Sequence, residues 1–367
     1  MSKELCRNRL QKTRELMEEQ GVDLFLVSPS PNLRYLSGYS LPGDERLFLL
    51  VLPVQGDPFV LANALYRAQA EIMPVSDYVF WSDGQDPLAI LKAELERRGF
   101  ADGKTALEPS LPSLFSVPLS RTLPKTEFVL GSPLTAPQRQ YKDSAELDLI
   151  RRASALADHV LEALISRKEY WVGKTERDFA GELAAQMRSA AFETSASIVA
   201  VGANAAVPHH VTGDAVIQQG KGLLIDFWGS FEGYFTDCSR TFFVGEPDQE
   251  FETVYKIVLE AHCAAEAKAR PGNLLGDVDA AARSVIEGYG YGKYFTHRTG
   301  HGIGMEAHEG PPAALGETTP VKPGMVFSIE PGIYLPGKLG VRIENLVAIG
   351  EQGPEVLHHY PRELKRL

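Results

Sequence analysis

Leu223-Leu224-Ile225-Asp226-Phe227-Trp228-Gly229-Ser230, continuing through Tyr234-Phe235-Thr236-Asp237-Cys238-Ser239-Arg240-Thr241, is the stretch from which the fold can be read. An apolar run ends in a carboxylate, a glycine-bearing connection follows, and a second carboxylate sits on the returning segment. Side chains alternate across a strand, so two aspartates on neighbouring antiparallel strands can point into the same space. Taken alone, the plainer reading makes Asp226 a turn residue and Asp237 a surface one. The assignment therefore needs partners elsewhere in the chain.

A similar arrangement recurs near the C-terminus. Met325-Val326-Phe327-Ser328-Ile329-Glu330 is an apolar strand ending in a carboxylate, and Val341-Arg342-Ile343-Glu344-Asn345-Leu346-Val347 follows after a loop. Alternation places Glu344 on one sheet face with Arg342 and Leu346. A carboxylate among such apolar neighbours needs a partner or a metal; the plainer alternative is an Arg342–Glu344 ion pair on an exposed edge. Between the two strand pairs lies His297-Arg298-Thr299-Gly300-His301-Gly302-Ile303-Gly304-Met305-Glu306-Ala307-His308-Glu309. It holds three histidines of a chain that has only nine, around glycines that let backbone approach closely. Gly300-His301-Gly302-Ile303-Gly304 lacks the glycine spacing of a dinucleotide fingerprint. A weaker candidate is Ala206-Val207-Pro208-His209-His210, where Pro208 fixes the local backbone and one of the paired histidines can face a cleft.

Two aspartates, two glutamates and one histidine form a hard, mostly oxygen ligand set suited to Mn²⁺, Fe²⁺, Co²⁺ or Zn²⁺. Five such side chains can hold two ions about 3.5–4 Å apart, which lower the pKa of water and supply hydroxide at neutral pH. The remaining histidines then polarise a carbonyl or stabilise a developing oxyanion.

The rest of the chain is consistent with an enzyme of this kind. At 367 residues two domains, or one large one, are expected. The apolar and charged fractions, 44% and 23%, are those of an ordinary globular protein. No window approaches the roughly 18 apolar residues of a membrane span. The opening Met-Ser-Lys-Glu-Leu-Cys-Arg-Asn-Arg carries no signal-peptide core, and Cys6, Cys238 and Cys263 form neither a disulfide framework nor a zinc knuckle. A net charge of −11 without a lysine- or arginine-rich run argues against nucleic acid. A soluble, cytoplasmic protein binding neither nucleic acid nor membrane is expected.

Helical spacing predicts an amphipathic helix in the first twenty residues, and strands are predicted at 22–27, 46–54, 58–62, 105–107 and 126–129, with a helix at 87–98. Ser28-Pro29-Ser30-Pro31-Asn32 reads as a turn, and the Gly- and Pro-bearing run 131–143 as a domain boundary. A helix capped at Asp143 or Ser144 runs to about Arg167, and another from about 173 to 191. Strands then dominate 197–244, helices 248–289 and strands 324–350. The reading is a small α/β domain followed by a larger α+β domain.

With these residues in place, the chain resembles the pita-bread metallopeptidases, which include methionine aminopeptidase, aminopeptidase P, prolidase and creatinase. The match in ligand positions runs from Asp226 to Glu344. Asn32-Leu33-Arg34-Tyr35-Leu36-Ser37-Gly38 resembles the creatinase-type N-terminal domain of aminopeptidase P and prolidase, which methionine aminopeptidases lack. The resemblance implies an α/β creatinase-like N-terminal domain over 1–133 and an α+β pita-bread (creatinase/aminopeptidase) catalytic domain over 140–367.

It further implies roles, position by position. Asp226 binds one of two divalent ions and Asp237 bridges both; His301 and Glu330 bind the other, and Glu344 bridges. Glu330 also assists proton transfer. His209, in preference to His210, faces the scissile carbonyl; His297 and His308 hold substrate and proline-side groups; Arg342 orients a metal-bound aspartate. Manganese is the ion expected first, with cobalt, zinc or iron as alternatives, and a homodimer is implied. One departure stands out: archaeal prolidases carry a carboxylate-gripping arginine four residues after the position of His308, where this chain has Pro312. The expected activity is hydrolysis of the Xaa-Pro bond in dipeptides or at peptide N-termini by a metal-bound hydroxide. The alternatives are a lyase or hydrolase of a small non-peptide substrate, for which Trp228, Tyr234 and Phe235 offer an aromatic cage, and a peptide-binding module without catalysis.

Overall fold

Leu10, Thr13 and Met17 recur at helical spacing and are buried along one side of α1 (Lys3–Gln20), which Ser2 caps and Gly21 ends in the left-handed region at φ 61°. The structure, a computed structural model, describes residues 2–367; Met1, where the expected N-terminal domain begins, lies outside the described residues. The chain divides into two units, one ending at Arg139 and the other running from Gln140 to Leu367.

In the first unit α1 is followed by β1 (Leu24–Val27), α2 (Pro31–Ser37), β2 (Leu49–Pro53), β3 (Phe59–Asn63), α3 (Arg67–Ala70), β4 (Asp77–Trp81), α4 (Pro87–Arg98), β5 (Gly103–Leu107), α5 (Ser113–Thr122), β6 (Thr126–Leu130) and α6 (Ser132–Arg139). The strands form one sheet in the order β4-β3-β2-β1-β5-β6, antiparallel within β1-β2-β3 and parallel elsewhere. Every residue of β1, β2 and β3 is buried, which is why these strands read as continuous apolar runs. Two expectations change. Pro31, read as part of a turn, opens α2 behind the Ser30 cap, because a first-turn residue needs no N–H. The run 131–143 does contain the division between the units, after Arg139, but it is not irregular: it carries α6, whose Leu134 and Thr135 are buried despite Pro133 and Pro137.

The second unit comprises α7 (Ser144–Ile165), α8 (Lys168–Trp171), α9 (Glu176–Ser189), β7 (Thr194–Val201), β8 (Lys221–Phe231), β9 (Tyr234–Val244), α10 (Gln249–Lys268), α11 (Leu275–Gly288), β10 (Gly300–Gly302), β11 (Glu309–Ala313), β12 (Val326–Ile329), β13 (Gly332–Leu335), β14 (Leu339–Arg342), β15 (Asn345–Gly350) and β16 (Gly353–Val356). Asp143 and Glu146 cap α7 reciprocally. The strands make a β7-β8-β9 sheet, a β11-β10-β12-β15-β16 sheet and the β13-β14 hairpin. One apolar core gathers α7, α9 and the outer face of β8-β9; a second gathers α10, α11 and the β12–β15 region. Among the described residues no helix is long and apolar enough to cross a membrane.

Two local readings are corrected here, and both bear on the site. β8 does not end at Asp226 but continues to Phe231; the turn is Glu232-Gly233, both at positive φ (49° and 84°), a two-residue turn suited to a twisted hairpin. Glu344 is not inside a strand. It lies between β14, which pairs with β13, and β15, which pairs with β12, so strict alternation across 341–347 is broken there.

Candidate metal centre

The β8-β9 register sets the first half of the site. Asp226 lies opposite Ser239, and Trp228 opposite Asp237. Facing residues of an antiparallel pair share a side, so Asp226, Trp228, Asp237 and Ser239 line one face, while Ile225, Phe227 and Cys238 turn into the apolar core. Asp237 is buried and its Oδ1 has no hydrogen-bond partner. Burial, and then the charges of Glu344, Asp226 and Glu330, hold its carboxyl well above the usual range.

The break between β14 and β15 brings the second half. Glu344 donates its N–H to the Ser239 carbonyl (3.0 Å), accepts from Ser239 Oγ on Oε2 (2.7 Å), and leaves Oε1 buried without a partner. Its carboxyl too is raised, by burial and by Glu330 and Asp226. Glu330 donates its N–H to the Thr299 carbonyl (2.7 Å), and its Oε1 lies 3.5 Å from His301 Nε2. Burial pushes Glu330 up to about 7; Arg342 opposes this and Asp226 adds to it.

His301 sits at the centre of β10. Its Nδ1 lies 3.0 Å from the Gly302 carbonyl, which can only accept, so Nδ1 carries the proton and Nε2 presents a bare lone pair toward Asp237 (3.8 Å) and Glu330. Burial first, and then His308, lower its pKa to about 3, keeping the ring neutral. The close approach depends on Gly300: a Cβ there would lie 1.8 Å from the Ser328 carbonyl oxygen.

Donor atoms of Asp226, Asp237 and Glu344 lie within 4.8 Å of one another, as do those of His301, Glu330 and Glu344, and those of Asp237, His301 and His308. Four buried or part-buried carboxylates and one neutral imidazole thus converge, with two oxygens unpartnered. Such a concentration of negative charge is unstable unless protonated or matched by cations. The donor set fits divalent ions of the hard or borderline kind.

The surroundings commit several other side chains. Arg342 donates to Asp226 Oδ2 (2.6 Å), Ser239 Oγ (2.9 Å) and Tyr334 Oη (2.9 Å), so the Arg342–Glu344 edge pair considered from sequence does not form. His297 Nδ1 lies 2.7 Å from the Arg298 carbonyl, so Nδ1 donates and Nε2 accepts from Tyr334 Oη (2.7 Å). With both nitrogens committed, His297 offers the site a ring face; burial lowers its pKa to about 4. The ring of His308 meets that of His301 edge-on, centroids 4.0 Å apart. Above these groups opens a cavity of about 800 Å³, whose wall includes Ile198, His209, Trp228, Arg298 and His308. Tyr234, offered as a cage residue, is buried and donates to Glu146 Oε1 (2.7 Å), so Trp228 alone of the three aromatics lines the cavity. Sequence reading missed Tyr334, which links His297 to Arg342; nothing in its spacing marks it. It also missed Glu176, whose carboxylate takes the N–H of His210 (2.8 Å).

Residues 148–351 match the sequence profile of metallopeptidase family M24, and residues 9–141 that of the creatinase/prolidase N-terminal domain. A probable dipeptidase PepE of Mycobacterium tuberculosis is 37% identical over 371 residues, covering 98% of this chain and 96% of that protein. An Xaa-Pro dipeptidase of Lactobacillus delbrueckii subsp. lactis is 34% identical over 364 residues, covering 98% of both. The crystal structure of a prolidase from Thermococcus sibiricus superposes with a TM-score of 0.94 at 35% identity, covering 98% of this chain and 99% of that one.

Proposed function

The chain belongs to metallopeptidase family M24, with a creatinase/prolidase-type domain before the catalytic one, and on that premise we propose that it is an Xaa-Pro peptidase of the prolidase kind. The observation that carries the reading is the convergence of Asp226, Asp237, His301, Glu330 and Glu344, with Asp237 Oδ1 and Glu344 Oε1 unpartnered, beneath a cavity of about 800 Å³. These five residues would hold two divalent ions. When bound, such ions supply Lewis acidity and make water a nucleophile at neutral pH.

The side chains do the rest. Arg342 holds Asp226 in one orientation, and Tyr334 ties Arg342 to His297. Glu330, ionised beside the cations, takes a proton from the attacking water and passes it to the proline nitrogen. That transfer matters because the Xaa-Pro bond is a tertiary amide whose nitrogen has no hydrogen of its own. His209 donates an N–H to the carbonyl oxygen as negative charge develops on it. His308 and the ring face of His297 flank the proline side.

Oxygen-rich ligation favours manganese, and cobalt, zinc or iron suit the same donors. The free cysteines, Cys6 and Cys238 buried and Cys263 exposed, fit a reducing compartment such as the cytoplasm. A homodimer follows from the family resemblance, and a proline-containing peptide is the partner. The test is product release from Ala-Pro and Ala-Pro-Ala, side by side, with manganese and with a chelated control. Chelator-sensitive cleavage of Ala-Pro alone makes the enzyme a dipeptidase; cleavage of the tripeptide makes it an aminopeptidase. If neither is cut by the metal-loaded protein, the peptidase reading fails and a small non-peptide substrate takes its place.

A further inference from the structure

Glu176, in the first turn of α9, is wholly buried, yet it touches none of the groups at which chemistry is placed. Its carboxylate accepts four hydrogen bonds: Oε1 from Val201 N and Asn204 Nδ2 (both 2.8 Å), Oε2 from His210 Nε2 (2.8 Å) and Gly213 N (2.9 Å). Burial works against the charge, and these donors outweigh it, so the group lies below its usual range and stays ionised at neutral pH. All four donors belong to the segment that carries His209.

That segment is two consecutive tight turns. Val207 N–H donates to the Asn204 carbonyl, and His210 N–H to the Val207 carbonyl, both at 3.0 Å. In the second turn Pro208 occupies the position that suits its fixed φ, and His209 follows it. Glu176 therefore grips the outer corners of the pair, Asn204 and His210; both histidines line the cavity, but His210 Nε2 is committed to Glu176, whereas the exposed His209 has no such tie among the described residues. The far side of the segment is close-packed too: a Cβ on Gly340 of β14 would lie 1.8 Å from the Ala205 carbonyl oxygen.

We propose that Glu176 is a positioning residue for His209, fixing through His210 and Asn204 the turn that aims His209 at the scissile carbonyl. The inference rests on the reading of His209 given above. Its physical basis is that a catalytic donor displaced by about 1 Å can lose about 100-fold in rate, so a turn with two polar corners needs a fixed anchor.

The experiment combines kinetics on the manganese-loaded enzyme with amide hydrogen exchange on the metal-free protein. Glu176→Gln puts an N–H₂ among donors; it is expected to lower kcat on Ala-Pro about 100-fold with KM within about threefold. His210→Ala, at a part-exposed position less demanding for folding, is expected to lower kcat about tenfold, and His210→Asn, which keeps an N–H, to restore most of it. In a His209→Ala background Glu176→Gln is expected to cause no further loss, and amides of 202–213 should exchange faster while those of β8 and β9 stay protected. Additive losses in the double variant, or unchanged exchange over 202–213, would overturn the proposal. A wild-type enzyme that cleaves no Xaa-Pro peptide overturns the functional reading instead, and the exchange arm still decides whether Glu176 clamps the turn.

Discussion

Arg342 Nη2 donates to Asp226 Oδ2 at 2.6 Å, joining the end of β14 to the middle of β8. The same guanidinium reaches Ser239 Oγ and Tyr334 Oη, so three elements meet on one planar fork. A lysine has the charge but not the fork. Arg342→Lys is expected to weaken metal binding 10–100-fold, as loss of a group orienting a ligand usually does. Metal titration of the chelated and dialysed protein checks this; an unchanged affinity would leave Arg342 with a structural role only.

Asp237 and Glu344 each belong to two of the converging donor groups. Asp237→Asn or Glu344→Gln is expected to remove activity and metal loading together, with affinity down by at least about 100-fold, beyond the usual effect of an outer partner. Without metal the effect reverses. Each substitution removes a buried carboxyl that the metal-free fold can hold only by keeping it protonated or by bearing its repulsion with other carboxylates, so the chelated variant should be more stable than chelated wild type by about 1 kcal/mol or more. Melting curves with and without chelator separate the two effects, and a metal-free variant that melts lower would count against mutual repulsion at this centre.

The pH dependence follows from Glu330. Burial raises its folded pKa to about 7 in the metal-free protein, so between about pH 4.5 and 7 the folded state keeps a proton that the unfolded chain releases. Stability from this group is complete below about 4.5 and is lost as pH rises through 7. Metal-free Glu330→Gln should therefore match metal-free wild type near pH 4.5 and exceed it at pH 8, by on the order of 3 kcal/mol. Taking the difference between the two proteins cancels the histidines, whose lowered pKa values act in the opposite sense. Denaturant titrations at both pH values measure it; a gap independent of pH would place the Glu330 carboxyl in the ordinary range.

Much of this centre is legible in the sequence because its parts lie on short, strongly patterned strands. Asp226 and Glu330 interrupt apolar runs, and the glycines around His301 exclude a helix, so each announces an unusual environment locally. Other parts depend on tertiary contact. The break after Arg342 is set by a change of strand partner from β13 to β12, which no periodicity records. Tyr334 and Glu176 bond to partners 8 and 34 residues away, so their neighbours in sequence carry no mark of these contacts. In the first unit, α2 escapes a reading that treats proline as a breaker, since Pro31 stands where the helix needs no N–H.

Substitution of His209 is expected to separate chemistry from metal binding. The residue belongs to none of the converging donor groups, yet it lines the cavity above them. His209→Ala is expected to lower kcat about 10²–10³-fold, the usual loss for a donor to a developing oxyanion, with metal content unchanged. Elemental analysis beside steady-state kinetics decides it, and turnover at the wild-type rate would remove His209 from the mechanism.

Arg298 is expected to govern which peptides fit. Of the two arginines lining the cavity, Arg342 is committed to Asp226, whereas the exposed guanidinium of Arg298 has no hydrogen bond or ion pair among the described residues. Its charge is nonetheless felt at His308, His301 and Glu330, so it stands close to the reacting groups. A dipeptide brings a free carboxylate to the proline side that a longer peptide carries further out, and Pro312 supplies no cation there. A charge-assisted hydrogen bond contributes about 1.5–3 kcal/mol, or roughly 10–100-fold. Wild-type enzyme should therefore prefer Ala-Pro to Ala-Pro amide by about that factor, mainly in KM, and Arg298→Ala should abolish the preference while leaving kcat on the amide unchanged. Equal preference in both proteins would mean that the carboxylate is read elsewhere. A preference that shifts with an acidic Xaa residue, and not with the amide, would place Arg298 on the other side of the scissile bond.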